Sequence, residues 1–236
     1  MVQNASELML MLLADARLPT GAHTQSAGLE PALNAGMPIT DVPRYIRTRL
    51  RTVARVEAGT AVVTRHLCLS AGPSGGPADL AAMLAEVQRA WAARTISPAL
   101  RETAVLLGRG YLRLAGRLWP ESVPVRALTD AGRGGSPCRA VVLGAVAAET
   151  GLSGAQLARL IGYDEAQTIA AAALKLAALD PVSASQWVLG VLGEVDTLVA
   201  ATADLTAIDE IPATGAPLVE EWAQIHTTAA MRLFRA

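Results

Sequence analysis

The sequence is poor in aromatic residues, in lysine and in charge, and each shortage limits what the protein can be. Of its 236 residues 3% are aromatic and 17% are charged, phenylalanine occurs once, and Lys175 is the only lysine. Hydrophobic residues make up 52%, whereas a disordered chain would be poorer in apolar residues and richer in charge. The core must therefore consist mainly of Ala, Leu and Val. Because alanine and leucine favour helix, this composition predicts helices rather than strands.

Net charge, cysteine and long apolar runs are scarce as well. A formal net charge of −1 gives no overall attraction to nucleic acid or to an acidic membrane. Cys68 and Cys138 form no C-x-x-C motif, so neither a disulfide scaffold nor an oxidising compartment is indicated. No apolar run approaches the roughly 18 residues that span a bilayer, and no basic residue precedes the apolar stretch 8–13, unlike in a signal peptide. We expect a cytoplasmic protein with no membrane or nucleic-acid partner.

Motifs of common enzyme classes are missing. A P-loop requires Lys followed by Ser or Thr, but Leu176 follows Lys175. There is no G-x-G-x-x-G after a strand and no G-x-S-x-G elbow. His66 and Cys68 are two residues apart on a predicted helix and face different sides, so they cannot easily share a metal within one chain. We expect no catalytic residue and no metal ligand, although a pairing of histidines across a dimer stays open.

Helical signals recur along the whole chain. Pro and Gly interrupt them near Pro19 and Gly21, at Gly162 and at Asp180-Pro181, and residues 119–137 are expected to form a long loop. The predicted helices are at about 6–14, 26–34, 42–69, 78–93, 98–118, 138–149, 153–161, 164–179, 183–204 and 217–234. These signals predict an all-α, single-domain bundle of about ten helices over residues 1–236. Its N-terminal segment and a C-terminal tail (about 205–236) are expected to be flexible.

The helix predicted from residue 42 has the clearest periodicity. Its apolar face consists of Val42, Ile46, Leu50 and Val53, and its opposite face of Arg44, Arg47, Arg51 and Arg55. The arginine face can be simply solvated, or it can bind an acidic partner. Nucleic acid is a third possibility, although the chain is not basic and no aromatic residues are interleaved.

Three further residues stand out near the middle of the chain. Arg159 and Tyr163 lie four residues apart and are of the types enriched at interface hot spots, but ordinary packing and a solvated cation would explain them too. Lys175 is isolated in an alanine- and leucine-rich run, so its charged end is expected to reach the surface.

Five segments in order along the chain resemble the UreF family of urease accessory proteins. They are the L-P-T-G-A-H-T-Q-S-A-G-L-E segment (18–30), S-P-A-L-R-E (97–102) with Gly108, residues 144–151, A-L-K-L-A-A-L (173–179) with Gln186, and residues 216–234. The chain departs from the family pattern at residues 23–25, at 180–181 and at Ala236.

The resemblance implies an all-α homodimer that binds the accessory protein UreD (also called UreH) and the GTPase UreG. That assembly delivers nickel into apo-urease in a step coupled to GTP hydrolysis. UreF-like proteins act there as scaffolds and modulate the GTPase. The resemblance therefore implies no catalytic residue and no cofactor for this chain, with nickel handled by the assembled complex.

The resemblance also assigns residues to partner surfaces. Arg159 and Tyr163 match the face presented to the GTPase, and we group Lys175 with them. The residues assigned to the UreD surface are Leu18, Pro19, Gly21, Gly28, Leu29, Glu30, His226, Arg232, Leu233 and Phe234.

Two alternatives remain. One is an enzyme whose site combines arginine with Glu30, Asp164 and Glu165 from several helices. The other is a helical regulator that binds nucleic acid or an acidic partner through the Arg44–Arg55 stripe.

Overall fold

The computed structural model describes residues 3–71, 77–130, 135–229 and 232–234. In these ranges the chain forms twelve α-helices, short 3-10 turns and no β-strand, which confirms the all-α prediction. The helices are α1 (Gln3–Leu13), α2 (Leu29–Asn34), α3 (Val42–Arg51), α4 (Val53–Ser70), α5 (Pro77–Arg94), α6 (Pro98–Leu118), α7 (Val123–Asp130), α8 (Arg139–Thr150), α9 (Gly154–Leu176), α10 (Pro181–Leu189), α11 (Leu192–Thr202) and α12 (Pro217–His226). None of the described helices is long and apolar enough to span a membrane.

Helices α4 and α8 form the centre of the core and approach each other closely. Residues 139–147 of α8 are all buried, and so are residues 56–64 of α4. Gly144 of α8 faces the carbonyl of Ala61 and the side chain of Thr64, where a Cβ atom would not fit. The small side chains predicted for the core thus let two helix backbones approach closely. The many dispersion contacts between these backbones stabilise the core in place of contacts between large apolar side chains.

Helix α9 is continuous for 23 residues, so the predicted break at Gly162 is wrong. Its start is fixed by a capping box, in which Ser153 accepts the backbone N–H of Gln156 while the Gln156 side chain accepts the N–H of Ser153. Gly162 packs against Leu198 and Val195 of α11. This glycine therefore serves helix packing instead of ending the helix.

Other predicted boundaries also differ. The helix expected over 42–69 divides at Thr52 (φ −121°, ψ −88°), where the hydroxyl of Thr214 donates to the Thr52 carbonyl at 2.9 Å. The helix expected over 183–204 divides between Leu189 and Leu192. The expected loop 119–137 contains α7, and the last helix ends at His226 instead of continuing toward Phe234. At Thr52 the break coincides with a contact to a distant part of the chain.

Candidate partner-binding surfaces

The segment 18–28, called here the N-terminal loop, has a fixed conformation against the helical core. The Tyr45 hydroxyl donates to the carbonyl of Ala27 at 2.7 Å, and the Arg113 guanidinium donates to the carbonyl of Pro19 at 3.1 Å. Gly28 has φ +79°, and a Cβ there would lie 2.7 Å from the Tyr45 oxygen. Glycine is therefore required at position 28, both for its backbone angle and for the space.

Residues 232–234 fold back onto the first turn of α2, which directly follows this loop. The Glu30 carboxylate accepts the backbone N–H groups of Leu233 at 2.6 Å and Phe234 at 2.9 Å. His226 Nε2 lies 3.2 Å from the Phe234 carbonyl oxygen and 3.7 Å from Glu30 Oε2. We call Glu30, His226, Leu233 and Phe234 the tail latch. Hydrogen bonds to an ionised carboxylate are stronger than those between neutral groups, so Glu30 holds the tail.

Lys175 lies next to the tail latch. Its Nζ lies 5.2 Å from the centroid of the Phe234 ring and donates to the carbonyl of His23 at 3.4 Å. It is exposed, as its isolation in an apolar run predicts. Twelve residues of helix separate it from Tyr163, a distance of about 18 Å along the axis of α9. The structure therefore groups Lys175 with the tail latch and not with Arg159 and Tyr163.

The other residues assigned to the UreD surface differ in accessibility. Gly28 and Leu29 are buried and Leu18 is half-buried, so they support the loop from inside. Pro19, Arg232 and Leu233 are exposed, and Gly21 is half-buried. The accessible part of this set thus consists of the loop around Pro19 and Gly21 and of the tail.

Arg159 and Tyr163 line a separate, largely apolar hollow of about 400 Å³, called here the α9 groove. It lies between α1, α9, α10 and α11, and Leu10, Met11 and Leu192 are among its walls. Met11 is 69% exposed and Tyr163 39%. Arg159 Nη2 lies 3.8 Å from Asp196 Oδ1 in a solvent-exposed pair that contributes little to stability. Exposed apolar groups beside Arg and Tyr are typical of a protein–protein interface.

A set of five charged side chains lies under the N-terminal loop, and the sequence pointed only to its Asp164 and Glu165. Arg49 Nε of α3 contacts Glu165 Oε1 of α9 at 2.5 Å. Arg139 Nη1 of α8 contacts Asp164 Oδ2 at 2.6 Å, and its Nε lies 3.4 Å from Glu57 Oε2. We call these five side chains the buried ion network. It joins α3, α4, α8 and α9 at one point.

Each arginine of the network has at least one carboxylate partner. Burial by itself lowers the pKa of Arg49 and Arg139, but the adjacent carboxylates outweigh it and raise both pKa values. Burial raises the pKa of Asp164, an effect that Arg139 opposes. Burial also raises the pKa of the neighbouring Tyr45 hydroxyl to about 12. Removal of Glu165 would leave the buried Arg49 without its carboxylate partner.

Of the three carboxylates of the enzyme alternative, Asp164 and Glu165 lie beside one cavity, and Glu30 lies apart from them in the described structure. Asp164 and Glu165 are paired with arginines beside a cavity of about 70 Å³, which has room for a few water molecules only. Glu30 lies in the tail latch. Within the described ranges there is also no group of three or more His, Cys, Asp or Glu side chains placed to hold a metal ion.

The arginine stripe is only partly free. Arg47 Nε lies 3.0 Å from Glu194 of α11, and Arg51 lies 3.8 Å from the same carboxylate. Arg44 is exposed and Arg55 is half-buried. The stripe is divided, with Arg55 on α4 and the other three arginines on α3, and it is paired in part with α11. It does not present four free guanidinium groups to an acidic partner or to nucleic acid.

Comparison with known proteins gives a consistent result along nearly the whole chain. The UreF family model matches residues 39–192. The urease accessory protein UreF of Mycobacterium marinum is 36% identical over 228 residues, which is 96% of this chain and 97% of the relative. The UreF proteins of Mycolicibacterium vanbaalenii and Mycobacterium tuberculosis are each 34% identical, over 229 and 230 residues. These alignments cover 95% and 96% of this chain and 96% and 97% of the two relatives.

Proposed function

The chain belongs to the UreF family of urease accessory proteins, and we propose that it is a scaffold that joins a UreD-type (UreH) protein to a UreG-type GTPase. The observation that carries the proposal is the separation of two unlike surfaces along one continuous helix. The α9 groove lies at the first half of α9, and the tail latch contacts Lys175 at its last turn. Two partners can therefore bind without competing for the same residues.

For the GTPase we propose the α9 groove as the contact, with Arg159 and Tyr163 as the main residues. The groove has exposed apolar side chains on α1, α9 and α11 and a weakly paired arginine at its edge. An arginine and a tyrosine on an apolar surface are the side chains most often found at hot spots. The partner would cover Met11 and Leu192 and compete with Asp196 for Arg159.

For the UreD-type protein we propose the surface formed by the N-terminal loop and the tail. Pro19, Arg232 and Leu233 are exposed there, and Glu30 fixes the tail by two backbone hydrogen bonds. A tail held by few contacts can exchange them for contacts with a partner, and ordering on binding couples the assembly steps.

The wider role follows the same proposal. The assembled complex, as a cytoplasmic homodimer of this chain with both partners, delivers nickel to apo-urease in a GTP-dependent step. This chain modulates the GTPase and contributes no cofactor of its own. It requires neither nucleic acid nor a membrane for this task.

Co-expression tests the proposal directly. The chain, produced with the UreD-type and UreG-type proteins of the same source, is expected to co-purify with both at micromolar concentration. A urease-activation assay that lacks only this chain should yield inactive urease. Retention of neither partner, or full activation without the chain, would contradict the proposal.

A further inference from the structure

A pocket of about 450 Å³ lies where the tail meets the N-terminal loop and the last turn of α9. Its walls come from His23 and Thr24 of the loop, from Lys175 and from residues 232–234. We call it the tail pocket. Its volume is within the usual range for binding sites. Because the tail supplies one wall, the pocket exists only while the tail latch is closed.

The tail pocket has basic side chains on its walls and no acidic one. Lys175, Arg232 and His23 are all exposed. Within the described ranges none of these three takes part in an ion pair. Glu30 is 5% exposed and accepts two backbone N–H groups, so its carboxylate does not line the pocket. The whole chain has a net charge of −1, so this positive pocket is a local feature.

The ammonium group of Lys175 is held in place although it is exposed. Its Nζ lies 5.2 Å from the centroid of the Phe234 ring and donates one hydrogen bond to the carbonyl of His23 at 3.4 Å. An ammonium group has three N–H donors, so two remain for a ligand. Phe234 is itself fixed, because its backbone N–H donates to Glu30. The latch therefore positions the cation in advance, which lowers the entropic cost of binding a ligand.

An exposed apolar side chain lies beside the two cations. Leu233 lines the same pocket and is 62% exposed. A small inorganic anion would leave it in water, whereas a peptide with an acidic residue next to an apolar one would cover it. The combination of cations with Leu233 thus favours an acidic protein segment over a free inorganic anion.

We propose that the tail pocket binds the carboxylate of an acidic side chain from a partner protein. The carboxylate accepts N–H groups of Lys175 and Arg232, and an apolar neighbour in the partner covers Leu233. Hydrogen bonds between ionised groups are stronger than those between neutral ones. Only the identification of this partner as the UreD-type protein rests on the proposed function.

Binding in the pocket must be coupled to closure of the latch. A ligand that binds only the closed form stabilises that form by mass action. At about ten times its dissociation constant, such a ligand should lower the open population about tenfold. Hydrogen exchange at the amides of Leu233 and Phe234 should slow by the same factor.

The first experiment compares two capped dipeptides on the full-length chain. N-acetyl-glutamyl-leucinamide and N-acetyl-glutaminyl-leucinamide differ only in the carboxylate. Each is titrated at constant ionic strength while backbone amide signals are followed by NMR. The glutamyl peptide is expected to bind saturably at millimolar concentration and to shift the amides of residues 23–24, 175 and 232–234. The glutaminyl peptide should bind at least about tenfold more weakly. Equal affinities, or no saturable shift, would overturn the proposal.

Two further measurements use the same samples. The glutamyl peptide at saturation should slow hydrogen exchange at Leu233 and Phe234, and unchanged exchange would refute the pocket as its site. Inorganic phosphate, at the same ionic strength, tests the source of the anion. Phosphate is expected to bind more weakly than the glutamyl peptide because it leaves Leu233 uncovered. Tighter binding of phosphate would overturn the assignment to an acidic protein segment.

Substitution of one cation gives an independent test. Arg232→Gln should weaken binding of the glutamyl peptide about three- to tenfold, the effect of one hydrogen bond. Arg117→Gln makes the same change on the exposed side of α6 and is the matched control. Lys175→Gln should also lower the affinity, and Lys175→Arg should restore it. Unchanged affinity in Arg232→Gln and Lys175→Gln would refute the proposed contacts. If a variant opens the latch without peptide, the two dipeptides on the natural chain decide.

Arg232→Gln also identifies the partner. If the UreD-type protein supplies the carboxylate, this variant weakens its binding about three- to tenfold, and the glutamyl peptide competes with it. Binding of the UreD-type protein without such competition would refute its assignment to the pocket. Failure of the UreD-type protein to bind at all would contradict the proposed function, while the peptide titration would still test the pocket.

Discussion

The α9 groove and the tail latch lie near opposite ends of the same helix but differ in composition and in occupancy. The groove is open and its lining is largely apolar, with Met11, Tyr163 and Leu192 exposed and Arg159 in a loose pair. In the latch Glu30, His226 and Phe234 are buried and Leu233 is exposed, and backbone N–H groups of the chain's own tail bind the Glu30 carboxylate. A partner can enter the groove without displacing part of this chain. A partner that binds Glu30 must first release or extend the tail.

The largest effect, a loss of stability, is expected from removal of the Arg49–Glu165 ion pair, which holds α9 against α3. Glu165→Ala leaves Arg49 buried and unpaired, so the free energy of unfolding should fall by about 3–5 kcal/mol. Urea denaturation followed by circular dichroism measures it. Glu194→Ala, which removes a more exposed partner of Arg47, should cost about 1 kcal/mol or less. Equal losses in the two variants would show that the buried pair is not an anchor.

The next effect concerns the groove. The double variant Arg159→Ala, Tyr163→Asp should weaken binding of the UreG-type GTPase by about 2–4 kcal/mol, because it removes two hot-spot side chains. Binding of the UreD-type protein should not change, since the latch is untouched. Calorimetry with each partner measures both, and Arg117→Ala on the exposed side of α6 is the control. Unchanged GTPase binding would remove both residues from the site.

A smaller effect is expected at the latch. Glu30→Gln replaces the ionised acceptor of two backbone N–H groups by a neutral one. A hydrogen bond to a charged group contributes about 1.5–3 kcal/mol. Hydrogen exchange at the amides of Leu233 and Phe234 should therefore accelerate about 10- to 100-fold, while the core amides keep their rates. Glu102→Gln, exposed on α6, should have no effect. Unchanged exchange in Glu30→Gln would mean that other contacts hold the tail.

The smallest effect sharpens the division between the surfaces. Lys175→Met removes a cation over the Phe234 ring and a hydrogen bond to the N-terminal loop. We expect the tail to lose about 0.5–1 kcal/mol, the range of an exposed cation–π contact. GTPase binding should stay the same. If it weakens as much as in Arg159→Ala, the grouping of Lys175 with Arg159 and Tyr163 drawn from the sequence is correct and the structural grouping is not.

Composition and helix signals were enough to predict the all-α class and most helix positions. They failed where a distant contact decides the outcome. Glycine has the same low helix propensity at every position, so the sequence around Gly162 predicts a break. Only the packing of α11 against Gly162 shows that this glycine allows close helix contact. Thr52 interrupts a regular apolar pattern, and one of the donors to its carbonyl, the Thr214 hydroxyl, is 162 residues away. Local rules contain no information on such pairs.

The site shows the same limit. Arg49 lies three residues after Ile46 and four before Val53, on the apolar stripe of its helix, so the pattern itself could have predicted a buried arginine. Its partner Glu165 is 116 residues away and could not have been identified. The resemblance named Glu30, His226 and the tail as one set, but their hydrogen bonds, and the place of Lys175 among them, required the fold.

The N-terminal loop also covers the Arg49–Glu165 ion pair. Its residues Ala22, Gln25 and Ala27 line the small cavity beside Arg49 and Glu165, and so keep bulk water from that pair. Attraction between two charges is about fourfold weaker in water than at the effective dielectric constant near a protein surface. A partner that lifts the loop would therefore loosen the joint between α3 and α9 from a distance, without touching either helix.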